Sequence, residues 1–242
     1  MEISLQDGVN NMKYEIKSSS SPVVVCTLAE NEKLVTESGV SAVGSANIKV
    51  HTSSDVRFSR SFVKKTKAHK HLGRLYIRCA RVGRTLSRIL SGSALFHNVY
   101  LPRKGEGTVS LSSNYLGGTL VPLSVSGDGG YIVNKGGFFA SEKGVRLSNC
   151  RLSLKDGLFG EGFFLQKLEG SGVAFIEAEG AVEKYTLKEN EHLILDVGFL
   201  LAMSDSCTLR IKRRNALKTT VLGGKSLYST DIAGPGTVYL NV

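Results

Sequence analysis

Hydrophobic and polar residues alternate with a period of two along much of this chain. Leu193 and Leu195, for example, alternate with Ile194 and Asp196. This period is typical of β-strands whose two faces meet different surroundings. The chain also contains 27 glycines and only 4 prolines, which indicates many tight turns. The sequence therefore predicts an all-β protein.

Helical spacing occurs in two segments only. Val82, Leu86 and Leu90 recur at intervals of four residues, and arginines occupy the opposite face of the predicted helix. A weaker helical pattern covers residues 216–222. Both segments lead into glycine-rich stretches, so we expect one or two short connector helices.

Three segments of the chain align with one another: residues 23–50, 121–147 and 183–211. Each contains an alternating strand, a polar turn and a second strand that ends in glycine. Each is followed by an aromatic residue and a G-x-G sequence before a further strand. The recurring aromatic residues are Phe96, Phe164 and Tyr228, and the second glycines are Gly107, Gly172 and Gly236. Because the aromatic residues recur at one place in the pattern, we expect them to be equivalent and to point into the core.

The alignment predicts a chain of three diverged β repeats within one assembly. The first covers residues 1–118 and carries a basic insertion at about 52–90. The second covers residues 119–179 and the third covers residues 180–242. Repeated units with open strand edges favour self-association, because natural β proteins cover such edges. We therefore expect a homo-oligomer.

Positive charge is concentrated in one segment. The net charge is +10, yet residues 57–104 contain thirteen Lys and Arg and no Asp or Glu. The rest of the chain has a net charge of −3. We name the basic insertion at about 52–90 the basic segment. Its predicted anion-binding residues are Arg57, Arg60, Lys64, Lys65, Lys67, Lys70, Arg74, Arg78, Arg81, Arg84 and Arg88.

Unopposed cations repel one another unless an anion lies beside them. Phe58, Phe62 and Tyr76 are interleaved with the cations, and aromatic residues in such a setting favour stacking with bases. The segment therefore predicts contact with RNA, single-stranded DNA or an anionic surface. The alternative is a solvated insertion loop whose charge is neutralised by a neighbouring subunit.

Catalytic motifs are absent from the sequence. There is no G-x-S-x-G, and no cysteine is close in sequence to a histidine that could activate it. His69 and His71 form an H-x-H pair, but the next carboxylate is Glu106 and the surrounding cations oppose metal binding. The sequence predicts no enzyme, no cofactor and no small-molecule substrate, but a non-catalytic oligomeric β-scaffold or binding protein. The alternative is a cupin-like metalloenzyme that uses His69 and His71.

Location is indicated by the cysteines and by the apolar runs. No apolar run is long enough to span a membrane, and residues 1–14 lack the pattern of a secretory signal. The four cysteines lie far apart, without a C-x-x-C pair: Cys26, Cys79, Cys150 and Cys207. Scattered cysteines of this kind are typical of reduced thiols, so we expect a cytoplasmic protein.

Six short motifs together resemble the altered-inheritance-of-mitochondria family over roughly residues 13–242. They are YEI at 14–16, ESG at 37–39, LVPL at 120–123, GFFAS at 137–141, GEGFFLQ at 160–166 and GPG at 234–236. The resemblance implies tandem double-stranded β-helix units, similar to those of the tryptophan RNA-binding attenuation protein, and homo-oligomeric assembly. It supplies no catalytic residues. It also makes a mitochondrial location the alternative to the cytoplasm if the source is eukaryotic.

Overall fold

The computed structural model of the protein describes residues 12–53, 97–127, 129–152, 163–213 and 228–242. These residues form nineteen β-strands and one 3-10 turn at Val197–Phe199, with no α-helix among them. Every strand pair is antiparallel. The all-β prediction is confirmed. Both segments expected to form connector helices lie outside the described ranges.

The strands are short, and the alternation of the sequence sets their buried faces. They are β1 (Lys13–Lys17), β2 (Val23–Leu28), β3 (Leu34–Glu37), β4 (Ser41–Gly44), β5 (Ile48–Ser53), β6 (His97–Pro102), β7 (Gly107–Ser112), β8 (Thr119–Val125), β9 (Tyr131–Asn134), β10 (Phe138–Glu142), β11 (Val145–Leu152), β12 (Phe163–Gly170), β13 (Gly172–Ala178), β14 (Val182–Leu187), β15 (His192–Asp196), β16 (Leu200–Ser204), β17 (Thr208–Arg213), β18 (Tyr228–Ala233) and β19 (Gly236–Asn241). In β2, Val24, Cys26 and Leu28 are buried and the residues between them are half-buried. This is the packing of a strand with one face in the core.

One pairing pattern of six consecutive strands occurs three times along the chain. We call β2–β7 the first group, β8–β13 the second and β14–β19 the third. In each group the sixth strand pairs with the first and the third. The fifth strand pairs with the second and the fourth. Each group therefore consists of two three-stranded half-sheets, and β1 adds a further strand beside β2.

Neighbouring groups are joined by one strand pair, which we call an internal junction. The second strand of one group pairs with the third strand of the next, as β3–β10 and as β9–β16. Each junction merges two half-sheets into a six-stranded sheet. The registers are Ala140↔Thr36, Ser141↔Val35 and Glu142↔Leu34 at the first junction, and Ala202↔Val133, Met203↔Ile132 and Ser204↔Tyr131 at the second.

Two half-sheets remain at the ends of the array. One is β2-β7-β4, which β1 extends to four strands, and the other is β15-β18-β17. At each internal junction, the third strand of one group and the second strand of another are paired on both sides. In the two end half-sheets, the strands of these kinds are β4, the third strand of the first group, and β15, the second strand of the third group. Both lie at a sheet edge. We call β4 and β15 the open edges.

Three hydrophobic clusters form the core, and each includes residues of two neighbouring groups. Phe139 and Phe175 of the second group pack with Leu34 and Leu111 of the first. Leu201, Ala202 and Tyr239 of the third group belong to the second cluster, and Ile132 and Leu165 of the second group belong to the third cluster. The predicted repeat boundaries fall between β7 and β8 and between β13 and β14. Because each cluster contains residues of two groups, the groups do not pack as separate units.

The turn after the first strand of each group has the same closing contact. A backbone N–H donates to the carbonyl three residues earlier, as Glu32 to Ala29, Gly129 to Ser126 and Glu191 to Lys188. In the first and third groups an asparagine, Asn31 or Asn190, adopts a φ of 72° or 66°. Asparagine tolerates this left-handed conformation better than most residues. The carboxylates of Glu32 and Glu191 then accept the N–H of Ala29 and Lys188 at 2.7 and 2.8 Å.

Candidate functional site

The basic segment is attached to the fold at two neighbouring strand ends. Strand β5 ends at Ser53 and β6 begins at His97, and these two residues face each other in the ladder. Beside them, Thr52 Oγ1 donates to Asn98 Oδ1 at 3.0 Å. His97 is buried, and its ring meets Phe138 edge to face with centroids 6.3 Å apart. The two attachment points therefore lie on packed strands.

All eleven predicted anion-binding residues lie between these points, outside the described residues. The other two groups connect their fourth and fifth strands through residues 153–162 and 214–227, which also lie outside them. By sequence, residues 153–162 hold one Lys and two acidic residues, and residues 214–227 hold three basic residues. The high positive charge thus belongs to one of three corresponding connections.

Two further basic residues, Arg103 and Lys104, are exposed in the turn between β6 and β7. Asn47 holds this turn in place. Its Nδ2 donates to the carbonyls of Lys104 and Glu106 at 3.1 and 2.8 Å, and its own carbonyl accepts the N–H of Arg103 at 2.9 Å. We call residues 103–106 the basic turn, and it lies near the end of β4.

The proposed metal pair cannot be placed. His69 and His71 fall in the basic segment, outside the described ranges. Within those ranges, no group of three His, Cys, Asp or Glu residues could hold a metal ion. The metalloenzyme alternative stays a prediction. The same ranges contain no helix with the length and apolar character of a membrane span.

A side-chain oxygen ties the third strand to the sixth strand in every group. The acceptor lies six residues after the glycine that ends the second strand of the sequence pattern, which is Gly39, Gly136 or Gly198. The donor is the backbone N–H of the residue that follows the second glycine of G-x-G. The bonds are Ser45 Oγ to Thr108 N at 3.0 Å, Glu142 Oε2 to Val173 N at 2.7 Å and Ser204 Oγ to Thr237 N at 3.0 Å. These three contacts give a common reference point for comparing the groups.

The predicted structural glycines begin the sixth strand of their groups: Gly107, Gly172 and Gly236. Gly172 and Gly236 have φ values of +133° and +148°, a region that L side chains rarely adopt. A Cβ at Gly172 would also contact Glu142 Oε2, and one at Gly107 would lie 2.7 Å from Ile48 Cδ1. Crowding or backbone conformation therefore favours glycine at each position.

The predicted aromatic positions are described in part. Phe164 lies in β12, four residues before Leu168, which pairs with Tyr131 of β9. Tyr228 begins β18, four residues before Ile232, which pairs with Leu193 of β15. The side chains of Phe164 and Tyr228, and the whole of Phe96, lie outside what the structure describes. Their place in the core stays a prediction.

A cavity of about 250 Å³ lies at the first internal junction. Asn31, Glu32 and Lys33 line it from the turn of the first group. Ser171 and Gly172 line it from the hairpin of the second group, and other residues of both groups contribute. At a junction, the polar turn of one group therefore faces the G-x-G hairpin of the next.

The open edges expose apolar side chains that are buried at the internal junctions. Val43 of β4 is 75% exposed, whereas Ala140, at the corresponding place in β10, is 0% exposed. Ile194 of β15 is 68% exposed, whereas Ile132, at the corresponding place in β9, is 4% exposed. The difference arises because β10 and β9 are covered by a partner strand.

The two open edges end beside opposite charges. The turn before β15 contains Glu189 and Glu191 together with Lys188, all exposed, so its net charge is −1. We call residues 188–191 the acidic turn. The basic turn contains Arg103 and Lys104 together with Glu106, so its net charge is +1, and it lies near β4. One end of the array is therefore locally acidic and the other is locally basic.

His192 contacts a carboxylate of the neighbouring strand in the structure. Its Nδ1 lies 2.9 Å from Asp231 Oδ1. The two residues are diagonal neighbours, because His192 faces Ala233 across the β15–β18 ladder. Sequence reasoning missed the pair because it depends on which strands are neighbours. No short spacing in the chain signals it.

An ion cluster bridges the second internal junction. Lys167 Nζ lies 2.6 Å from Glu169 Oε1 and 3.3 Å from Asp205 Oδ2, which follows β16 of the next group. Burial alone would lower the pKa of Lys167, but Glu169 and Asp205 raise that pKa above its ordinary value. Charge pairing between groups is therefore already used inside the chain.

Comparison with known proteins gives a family and a fold. The model of the family described as Mitochondrial biogenesis AIM24 matches residues 14–241. The fold is similar to that of the X-ray crystal structure of protein SPYM3_0169 from Streptococcus pyogenes. The TM-score is 0.68 at 20% sequence identity, and the match covers 96% of this chain and 94% of that one. No match was found among curated proteins.

Proposed function

The chain belongs to the AIM24 family, and from this premise we propose that it is a non-catalytic, homo-oligomeric β-scaffold whose basic segment binds a polyanion. The observation that carries the proposal is the setting of the segment. It extends from one of three corresponding strand connections, between the paired residues Ser53 and His97. A scaffold built in this way presents a concentrated positive charge, because residues 57–104 hold thirteen basic residues while the rest of the chain has a net charge of −3.

The proposal includes an internal architecture of three diverged double-stranded β-helix-like units, similar to those of the tryptophan RNA-binding attenuation protein. The recurring strand pairing supports it, as do the turn contacts and the hydrogen bonds to the residue after the second glycine. The unit boundaries lie near residues 118 and 179. In such an array only the first unit carries the basic segment.

Assembly multiplies the affinity of a basic segment for a long polyanion. A second segment on a neighbouring copy acts at a high effective concentration once the first has bound. Each phosphate contact releases counterions, so log affinity falls with log salt by about 0.7 per phosphate on a single strand. We therefore expect RNA or single-stranded DNA to be bound without marked sequence preference.

A fluorescence anisotropy titration with a labelled single-stranded polynucleotide tests the proposal. The variant carries Lys64→Ser, Lys65→Ser, Lys67→Ser and Lys70→Ser. We expect it to bind more weakly than the wild type and with a flatter salt dependence. The matched control carries Lys13→Ser, Lys17→Ser, Lys135→Ser and Lys184→Ser, four exposed lysines outside the segment.

Both variants lower the net charge from +10 by four, so only the position of the charge differs. The control is expected to keep the affinity and salt slope of the wild type to within a few fold. Wild-type binding weaker than about 100 μM at low salt would exclude polynucleotide binding as the function. Equal losses in both variants would exclude the basic segment as its site.

A further inference from the structure

We propose that strand β4 of one copy pairs antiparallel with strand β15 of a second copy, which joins the copies head to tail. The proposal rests on the self-assembly of the scaffold and names the surface and the register. It uses only described residues. The partner is a second copy of this chain because each open edge is the counterpart of a strand that already pairs within the chain.

The internal junctions serve as the template for this contact. At each of them, the half-sheet formed by the first, sixth and third strands of one group meets the half-sheet formed by the second, fifth and fourth strands of the preceding group. Joining β2-β7-β4 to β15-β18-β17 gives the same strand order, with β1 as an extra outer strand. Among the described strands, neither β4 nor β15 has a partner on this side. A head-to-tail contact of this kind closes into a ring or extends as a filament.

Two reference points fix the register. Ser45 corresponds to Glu142 and Ser204 through the hydrogen bond to the residue after the second glycine. Leu193 corresponds to Leu34 and Tyr131, since each lies five residues after the carbonyl that closes the polar turn. The template pairs Glu142 with Leu34 and Ser204 with Tyr131. The register between copies is therefore Ser45↔Leu193, Gly44↔Ile194 and Val43↔Leu195.

The backbone hydrogen-bonding phase agrees with this register. Ser45 N–H donates to Thr108 in β7 at 2.9 Å, so the peptide N–H of Gly44 faces the open edge. The N–H of Gly234 donates to Glu191 at 3.0 Å, so the N–H of Ile194 faces the other open edge. The register pairs these two outward-facing residues with each other. At the first internal junction, the N–H of Lys143 donates to the carbonyl of Lys33. Ser141 and Val35, which correspond to Gly44 and Ile194, lie two residues further along this ladder and so have the same hydrogen-bonding pattern.

Side-chain chemistry also favours the contact. Val43 and Ile194, 75% and 68% exposed in a single copy, would gain the cover that Ala140 and Ile132 have within the chain. The cavity at the first junction brings the polar turn of one group to the hairpin of the next. The equivalent contact between copies brings the acidic turn to the basic turn. Opposite charges at this contact favour the head-to-tail orientation over a head-to-head one.

Cysteine cross-linking tests the register. One protein carries Val43→Cys and another carries Leu195→Cys, both with Cys79→Ser and Cys150→Ser. Val43 and Leu195 face each other as a non-hydrogen-bonded pair, where Cα atoms lie about 4.5 Å apart and a disulfide can form. We expect a disulfide-linked dimer from the mixture and none from either protein alone. The pair Ser45→Cys and Leu193→Cys gives a second in-register test if Leu195→Cys unfolds the chain.

The matched control mixes Val43→Cys with Leu193→Cys, which is two residues out of register. Its Cα atoms would lie roughly 7–8 Å apart, too far for a disulfide, so we expect at least tenfold less dimer. Equal cross-linking of the control, or none from both in-register pairs, would overturn the proposed junction. If the cross-linking fails, light scattering on the wild type shows whether the scaffold proposal fails as well. A mass above 26.0 kDa would mean that the protein self-assembles through another surface. A mass of 26.0 kDa at all concentrations would exclude self-assembly and the β4–β15 contact together.

Reversal of charge tests the orientation. We expect Lys104→Glu to weaken association about tenfold at low salt and Glu189→Lys to weaken it similarly. A mixture of the two proteins restores cross-copy association, because each reversed turn then meets its opposite. If the mixture associates no better than either variant alone, the contact between the acidic and basic turns is wrong.

Discussion

The internal junctions and the open edges are built from the same kinds of strand but differ in surroundings. Strand β10 pairs on both sides, and its Ala140 and Ser141 are buried. Strand β4 occupies the corresponding place in the first group. Of the strands that the structure describes, it pairs with β7 alone, and its Val43 is exposed. The comparison teaches that position in the array decides which residues are covered. An exposed valine in such a strand indicates a missing neighbour.

Replacing Phe139 with alanine should give the largest effect on stability. Phe139 is fully buried in β10, in the cluster that the first and second groups share. We expect the free energy of unfolding to fall by about 3–5 kcal/mol, because the change removes buried surface and leaves a cavity. Leu116→Ala, at an 85% exposed position, is the control and should cost less than about 0.5 kcal/mol. Similar urea midpoints for the two variants would contradict a shared core.

The thiol of Cys26 reports whether water enters the core behind the open edge. Burial, with a smaller contribution from Glu142, raises the pKa of Cys26 from its ordinary value of 9.0 to about 12. The folded state therefore holds the proton between pH 9 and 12 while the unfolded state loses it. Stability from this group is complete below pH 9 and falls as the pH rises.

Urea unfolding of the wild type and Cys26→Ala across this range measures the effect. We expect the wild type to lose about 3 kcal/mol more than the variant between pH 8 and pH 11. The difference between the two proteins cancels the titration of tyrosines and lysines. Parallel pH profiles would indicate that the core of the first group is open to water.

Gly172→Ala tests the hairpin at the internal junction. Gly172 has a φ of +133°, and a Cβ there would meet the Glu142 carboxylate. We expect a loss of about 1–3 kcal/mol in the free energy of unfolding. Gly198→Ala is the control, because a Cβ at Gly198 meets nothing within 4 Å. A Gly172→Ala protein as stable as the control would show that the junction tolerates rearrangement.

Val43→Ala should have the smallest effect on the fold. At a concentration low enough to keep copies apart, we expect a change of less than about 0.5 kcal/mol in the free energy of unfolding. The same substitution should weaken association about tenfold, because it removes two methyl groups from the contact. Sedimentation equilibrium and urea unfolding measure the two quantities. A large loss of stability without a change in association would contradict an open edge at β4.

The local features of the fold could be predicted from the sequence. Alternation indicated strands such as β2, and the polar turns at Ala29–Glu32 and Lys188–Glu191 have the conformations that their asparagines favour. These features depend on residues a few positions apart. Of the six glycines in the three G-x-G sequences, four have a positive φ, whereas Gly107 and Gly234 do not.

The pairing of distant strands could not be predicted in the same way. The first strand of a group pairs with the sixth, and the second pairs with a strand of the next group. Neither partner is marked by a sequence spacing, so open edges were expected in general but could not be assigned to β4 and β15. The His192–Asp231 pair was missed for the same reason. The charge of the basic segment was visible because it depends on composition alone.

Blocking one edge at a time tests the central claim most directly. Val43→Lys places a charge on β4 and leaves β15 intact, whereas Ile194→Lys does the reverse. Both positions are exposed in a single copy, so the fold should be unaffected. By light scattering at micromolar concentration, we expect each variant alone to have a mass of 26.0 kDa. The equimolar mixture should form a dimer of twice that mass and nothing larger. Variants that keep the wild-type assembly, or a mixture that stays monomeric while the wild type assembles, would contradict the account.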